Sequence, residues 1–105
     1  MAKRLIWTDF YNKSLEDIFT CSRDIYSKSI LVKLKGTIMH YEKLLVDNPM
    51  MGSLEESLQG MDYDYRKIVI KPYFKIIYTV SDNAIYLIDI WDTRRDPSLL
   101  TKDFK

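Results

Sequence analysis

Cysteine is nearly missing from this chain: Cys21 is the only one among 105 residues. That excludes a disulfide framework within the chain and a Cys-rich metal site, and it fits a reducing compartment. Histidine is as scarce. His40 is the sole example, so a His-based metal site has nothing to build on. Glycine-rich phosphate loops, Cys/His ligand spacings and a Ser/His/Asp arrangement are also missing. Neither a metal nor an organic cofactor is expected. No apolar run approaches the ~20 residues that a membrane helix needs; the longest are strand-sized and broken by Lys or Asp. Met1 to Thr8 lacks the apolar stretch of a signal peptide. A cytoplasmic protein without membrane attachment is expected.

What remains is the profile of an ordinary folded domain. With 47% hydrophobic and 30% charged residues the chain is too apolar to stay disordered. Its length suits a single domain, 1–105. The net charge of +1 says little as a total, but its distribution is uneven. From Asp47 to Asp64 every charge is acidic: Asp47, Glu55, Glu56, Asp62 and Asp64. From Tyr65 to Ser81 every charge is basic: Arg66, Lys67, Lys71 and Lys75. Arg94 and Arg95 form a second basic pair. Singly these are ordinary solvated residues; together they outline a positive surface for a polyanion.

Periodicity sets the order of elements. Lys3 to Trp7 is β-prone. Thr8 and Asp9 offer N-cap oxygens to a helix carrying Tyr11, Leu15, Ile18 and Phe19 at helical spacing. A turn falls between Asp24 and Ser29, and Ser27 or Ser29 can cap a second helix. There Ile30, Leu34, Ile38, Tyr41 and Leu45 form the apolar stripe, with Glu42 among the polar residues between them, until Asn48–Pro49 stops it. Met50 to Asp64 reads as loop with some local helix, Ser53-Leu-Glu-Glu resembling a capping box. The period then becomes two: Arg66 to Lys71, Phe74 to Ser81 and Ala84 to Trp91 read as strands, the last two joined by an Asp82–Asn83 turn. That turn pairs Val80 with Ile85 and Ile77 with Ile88, and places Lys75 on a face with Ile77, Thr79, Tyr86, Ile88 and Ile90. Helices segregated before an antiparallel meander predict an α+β two-layer fold, a helical hairpin on a small, mainly antiparallel sheet in the order β-α-α-β-β-β. The first strand joins at an edge or beside the last strand. The last two strands are apolar on both faces, so either the tail or another chain covers the second face.

The stretch Tyr65 to Pro97 resembles the C-terminal half of RelE/ParE-type toxins. The residues that carry the likeness are the strand Phe74-Lys75-Ile76-Ile77-Tyr78, the tight turn into a second aliphatic strand, and the motif Asp92-Thr93-Arg94-Arg95-Asp96-Pro97. The N-terminal strand, helical hairpin and Asn48–Pro49 stop agree with the family order. The resemblance implies the toxin half of a bacterial type II toxin–antitoxin system, a plasmid stabilisation module that inhibits growth. Its partners would be a cognate antitoxin, bound as a hetero-oligomer, and a cellular target. ParE-like members bind DNA gyrase; RelE-like members enter the ribosome and cut mRNA. By that resemblance Lys75 stands where the family commonly has an Arg, and Arg94 matches the Arg after the last strand. These two would be catalytic in a RelE-like enzyme. Arg66, Lys67, Lys71, Lys75, Arg94 and Arg95 would contact the target, and Trp91 and Asp89 the antitoxin. The tail, Ser98-Leu-Leu-Thr-Lys-Asp-Phe-Lys, has neither the Tyr nor the His that RelE-like members place there. That favours gyrase over RNA cleavage, with a decayed toxin kept as an antitoxin-binding module as a third possibility. Tyr73, Tyr78 and Tyr86 are expected in core or cross-strand packing rather than as substitutes for the missing group. Trp7, Trp91 and Cys21 are expected as packing residues, and His40 on the surface or seam of the second helix.

Overall fold

The polypeptide, seen in a computed structural model, is described over residues 3–21, 27–71 and 74–93. Strand β1 (Arg4–Trp7) runs straight into helix α1 (Asp9–Cys21). Thr8 makes the corner. Its Oγ1 donates to Leu87 O at 2.7 Å and accepts from Tyr11 N at 3.2 Å, capping the helix and tying it to the sheet. Helix α2 (Lys28–Asp47) starts from Ser27, whose hydroxyl accepts from Ile30 N. Asn48 ends it, with its backbone N–H and its Nδ2 both on Leu44 O. The turn expected between the helices falls largely outside the described residues.

Strands β2 (Ser53–Leu54), β3 (Tyr65–Ile70), β4 (Phe74–Val80) and β5 (Ala84–Asp92) complete a five-stranded sheet in the order β1-β5-β4-β3-β2. All pairs are antiparallel except β1 with β5. The first strand therefore lies at an edge and beside the last. Ser53 belongs to β2, paired with Lys67, rather than to a capping box. The short 3-10 turn Glu56–Leu58 is instead capped by Glu55, whose side chain accepts from Ser57 N.

The β4–β5 hairpin turns at Asp82–Asn83 as expected, with Val80 opposite Ile85. It then departs from the expected register. Tyr78 faces Leu87, but Ile77 faces Asp89 rather than Ile88. Ile88 is the extra residue of a β-bulge, and a bulge turns every later side chain to the other face. Asp89 and Trp91 consequently join Lys75 and Ile77, while Ile90 crosses to pair with Ile76 on the helix side.

Two apolar clusters result. The larger lies between helices and sheet, with Tyr11, Leu34, Ile38 and Leu45 against Ile68, Phe74, Ile76, Tyr78, Leu87 and Ile90. The smaller, Leu58, Ile77 and Trp91 with Met61, Tyr65 and Ile88 packed on it, sits on the far face. The segment after α2 thus folds back across that face, so part of the cover comes from residues 55–61; the tail lies outside the described residues. Ile30 is exposed rather than in the stripe of α2. Trp7 is 46% exposed at the sheet edge instead of anchoring the core.

Glu42, one of the polar residues between the stripe positions of α2, is only 8% exposed. Its Oε2 accepts from Tyr11 OH at 2.8 Å and from Trp7 Nε1 at 3.1 Å. Burial, reinforced by the Glu42 charge, pushes the Tyr11 phenol far above its ordinary value, so the proton stays on Tyr11 as the donor. Tyr11→Phe removes one of two donors to a buried carboxylate. It is expected to cost about 1.5–3 kcal/mol, read as a lowered denaturation midpoint with an unchanged m-value.

Candidate functional site

The expected basic set does not form one patch. Lys67 and Lys75 share the far face of the sheet with Ile77, Asp89 and Trp91, as the β3–β4–β5 register requires. Arg66 is opposite Tyr78 and faces the helix side, where Nη1 donates to Gly52 O at 2.7 Å. Lys71 is exposed in the turn after β3. Arg94, Arg95 and Tyr73 lie outside the described residues.

Lys75 is not open to solvent. Its Nζ is 2.7 Å from Glu55 Oε2, with side-chain exposures of 14% and 4%. The fold delivers Glu55 there: its N–H donates to Tyr65 O at 2.8 Å, and Leu58 behind it packs against Ile77 and Trp91. Glu55 Oε1 accepts from Ser57 Oγ at 2.8 Å. Burial alone would raise the Glu55 pKa, but the hydrogen bonds from Lys75 and Ser57 and the charges of Lys75 and Lys67 outweigh it and hold it below 4.5. A carboxyl whose folded pKa is depressed stabilises the fold fully above its unfolded pKa. That contribution is lost as pH falls through the folded value. The stabilities of wild type and Glu55→Gln are therefore expected to differ at neutral pH and to converge as pH falls below the ordinary carboxyl range, through the depressed folded value, checked by urea melts across pH.

The tyrosines have separate roles. Tyr78 is fully buried; its hydroxyl donates to Pro49 O and accepts from Gly52 N, each at 2.9 Å. Burial raises its pKa, and it acts as a structural lock. Tyr86 belongs to a cleft of about 370 Å3 near the β4–β5 hairpin, lined also by Tyr63, Tyr65, Thr79 and Ile88. Trp91 and Asp89 are each 2% exposed. His40 is exposed on α2, edge-on to Tyr41. Between the helices lies a groove of about 460 Å3 with Leu15, Phe19, Ile38 and Met39 in its walls and Glu42 at its floor. Among the described residues there is no group of three or more metal-ligating side chains, and no helix is long and apolar enough to cross a membrane.

Two solved structures share this arrangement of strands and helices. A chain of the chromosomal ParDE toxin–antitoxin system from P. aeruginosa matches with a TM-score of 0.68 at 18% identity, over 87% of this chain and 96% of that one. A chain of the E. coli DinJ–YafQ toxin–antitoxin complex matches with a TM-score of 0.61 at 15% identity, over 90% and 96%. The chain has the fold of RelE/ParE-type toxins. The sequence matches no protein-family model and no curated protein. On the RelE/ParE-type fold, what sequence reasoning missed is Glu55. The sole signal was the acidic run preceding the basic strands, and their pairing is made only by the folded sheet.

Proposed function

We propose that this chain is the toxin of a type II toxin–antitoxin pair, and that it acts by binding DNA gyrase rather than by cutting RNA. The observation that carries this is the Lys75–Glu55 pair. RNA cleavage needs a cation free to meet the scissile phosphate and a base titrating near neutral pH. Here the lysine at the family's cationic position is already neutralised at 2.7 Å by a buried carboxylate. That carboxylate has a lowered pKa, which makes it a weak base. The raised values of Tyr65 and Tyr78 leave both phenols protonated at neutral pH. A protein-binding toxin requires neither group. The cognate antitoxin would hold the toxin as a hetero-oligomer, consistent with the toxin–antitoxin complexes that share its fold.

The test is brief induced expression in bacteria without the antitoxin, following growth, mRNA 5′ ends and the DNA damage response together. Growth arrest with a damage response and intact mRNA is expected, together with loss of supercoiling when purified protein is added to gyrase. Codon-phased mRNA ends would replace this reading with a ribosome-dependent nuclease built on Lys75, Arg94 and the neighbouring cations. Normal growth would favour a decayed toxin that retains only antitoxin binding.

A further inference from the structure

The far face of the sheet carries a second feature, at the end away from Lys75. Tyr65, Thr79 and Tyr86 stand in one row across β3, β4 and β5. Adjacent strands are ~4.8 Å apart, so the two outer tyrosines stem from backbones about 10 Å apart. The residue between them is a short threonine. That leaves a slot, and the cleft of about 370 Å3 occupies it. Tyr63 forms a third wall, its ring 6.4 Å from that of Tyr65 and at 78° to it. Ile88, displaced by the bulge, also lines the slot. Thr79 does not donate into it, because its hydroxyl is spent on Asp64 O at 2.9 Å.

Three aromatic rings around a slot accept a flat or cationic group. The charges carried by the segments that line it choose between them. Asp62 acts electrostatically on Tyr65, Asp64 lies between Tyr63 and Tyr65, and Asp82 follows the lining residue Ser81. None of the three carboxylates has an ion pair among the described residues. Lys3, the cation nearest the hairpin, is turned onto the carbonyls of Ser81 and Asp82. Arg4, in register with Ala84, does not line the cleft. A phosphate-bearing nucleobase would meet these neighbouring carboxylates unfavourably, whereas a cation is attracted by the rings and by the carboxylates.

We propose that the Tyr63–Tyr65–Tyr86 cleft is a cage for a cationic side chain, an arginine or lysine presented by a protein partner. The cleft is separate from the Lys75–Glu55 pair and does not depend on which target the toxin has. The partner's guanidinium or ammonium enters between Tyr65 and Tyr86 over Thr79, with Tyr63 closing the side.

The test uses the full chain and follows tyrosine ring resonances during titration with a blocked Gly-Arg-Gly peptide. A Gly-citrulline-Gly peptide of nearly the same shape but without charge serves as comparison, and adenosine monophosphate as a third probe. Saturable shifts of Tyr63, Tyr65 and Tyr86 are expected with the arginine peptide, and binding about three- to thirty-fold weaker with citrulline. Tyr63→Ala, at a position 65% exposed and so tolerant of truncation, should weaken the arginine peptide while leaving the melting temperature unchanged. Asp62→Asn should weaken it less. Equal binding of arginine and citrulline would overturn the proposal, as would capture of the nucleotide in place of the peptide, or no response from the three rings.

Discussion

Gly52→Ala is expected to cost about 3 kcal/mol, a large share of the ~5–15 kcal/mol that a domain of this size has. A Cβ at Gly52 would sit 2.5 Å from Lys67 O, 2.7 Å from the Tyr78 hydroxyl and 2.9 Å from its Cε1. Neither neighbour can yield cheaply. The Lys67 carbonyl belongs to β3, and Tyr78 is fully buried. Moving Gly52 aside breaks its hydrogen bond to Tyr78 and the one it accepts from Arg66. Gly36→Ala is the matched control. Nothing lies within 4 Å of a Cβ there, so the same substitution inside α2 should stabilise by about 1 kcal/mol. Chemical denaturation of the two variants should therefore shift the midpoint in opposite directions. A mild effect at Gly52 would mean that the approach of residues 49–52 to the sheet is looser than these distances.

Lys75→Ala should be comparably damaging, at about 3–5 kcal/mol, because it strands a buried carboxylate without its counter-charge. The decisive comparison is the double variant Lys75→Met with Glu55→Met. Replacing both charges by apolar groups of similar volume is expected to recover most of the loss. If Lys75→Ala alone proved nearly neutral, Glu55 would have to reach water, which means that the 55–61 segment had come off the sheet. The comparison also bears on the proposed toxin function. Loss of growth arrest in Lys75→Ala alone would reflect misfolding as readily as a lost contact, whereas the folded double variant separates loss of the charged pair from misfolding.

The parts of this fold legible from sequence are those whose signals are local. Thr8 and Ser27 announce helix starts within three residues of the N–H groups they cap, Asn48–Pro49 announces an end, and alternation picks out β3, β4 and β5. What was not legible depends on partners far along the chain. Glu42 sits between Tyr41 and Lys43 in α2, and its burial rests on Trp7 and Tyr11, 35 and 31 residues away. Strand β2 is two residues long, too short for any period to show. The bulge at Ile88 occurs in a mostly apolar run without glycine, and one residue of slip sufficed to move Asp89, Ile90 and Trp91 to faces other than those expected. At the candidate site the acidic and basic runs were both visible. That Glu55 lands on Lys75, 20 residues on, is a property of the antiparallel sheet and the turn that overlies it.

The parallel pairing of β1 with β5 has a consequence for how the chain comes into being. Thr8 bonds to Leu87 across 79 residues of sequence. At ~5–20 residues per second a ribosome needs roughly 4–16 s to make that interval. During this time β1 has been made but its partner strand does not exist. Helix α2, held by local contacts, can form early; the sheet's own edge is closed last. A nascent molecule therefore carries a first strand without its partner throughout that interval, and it completes its sheet only once β5 has been made.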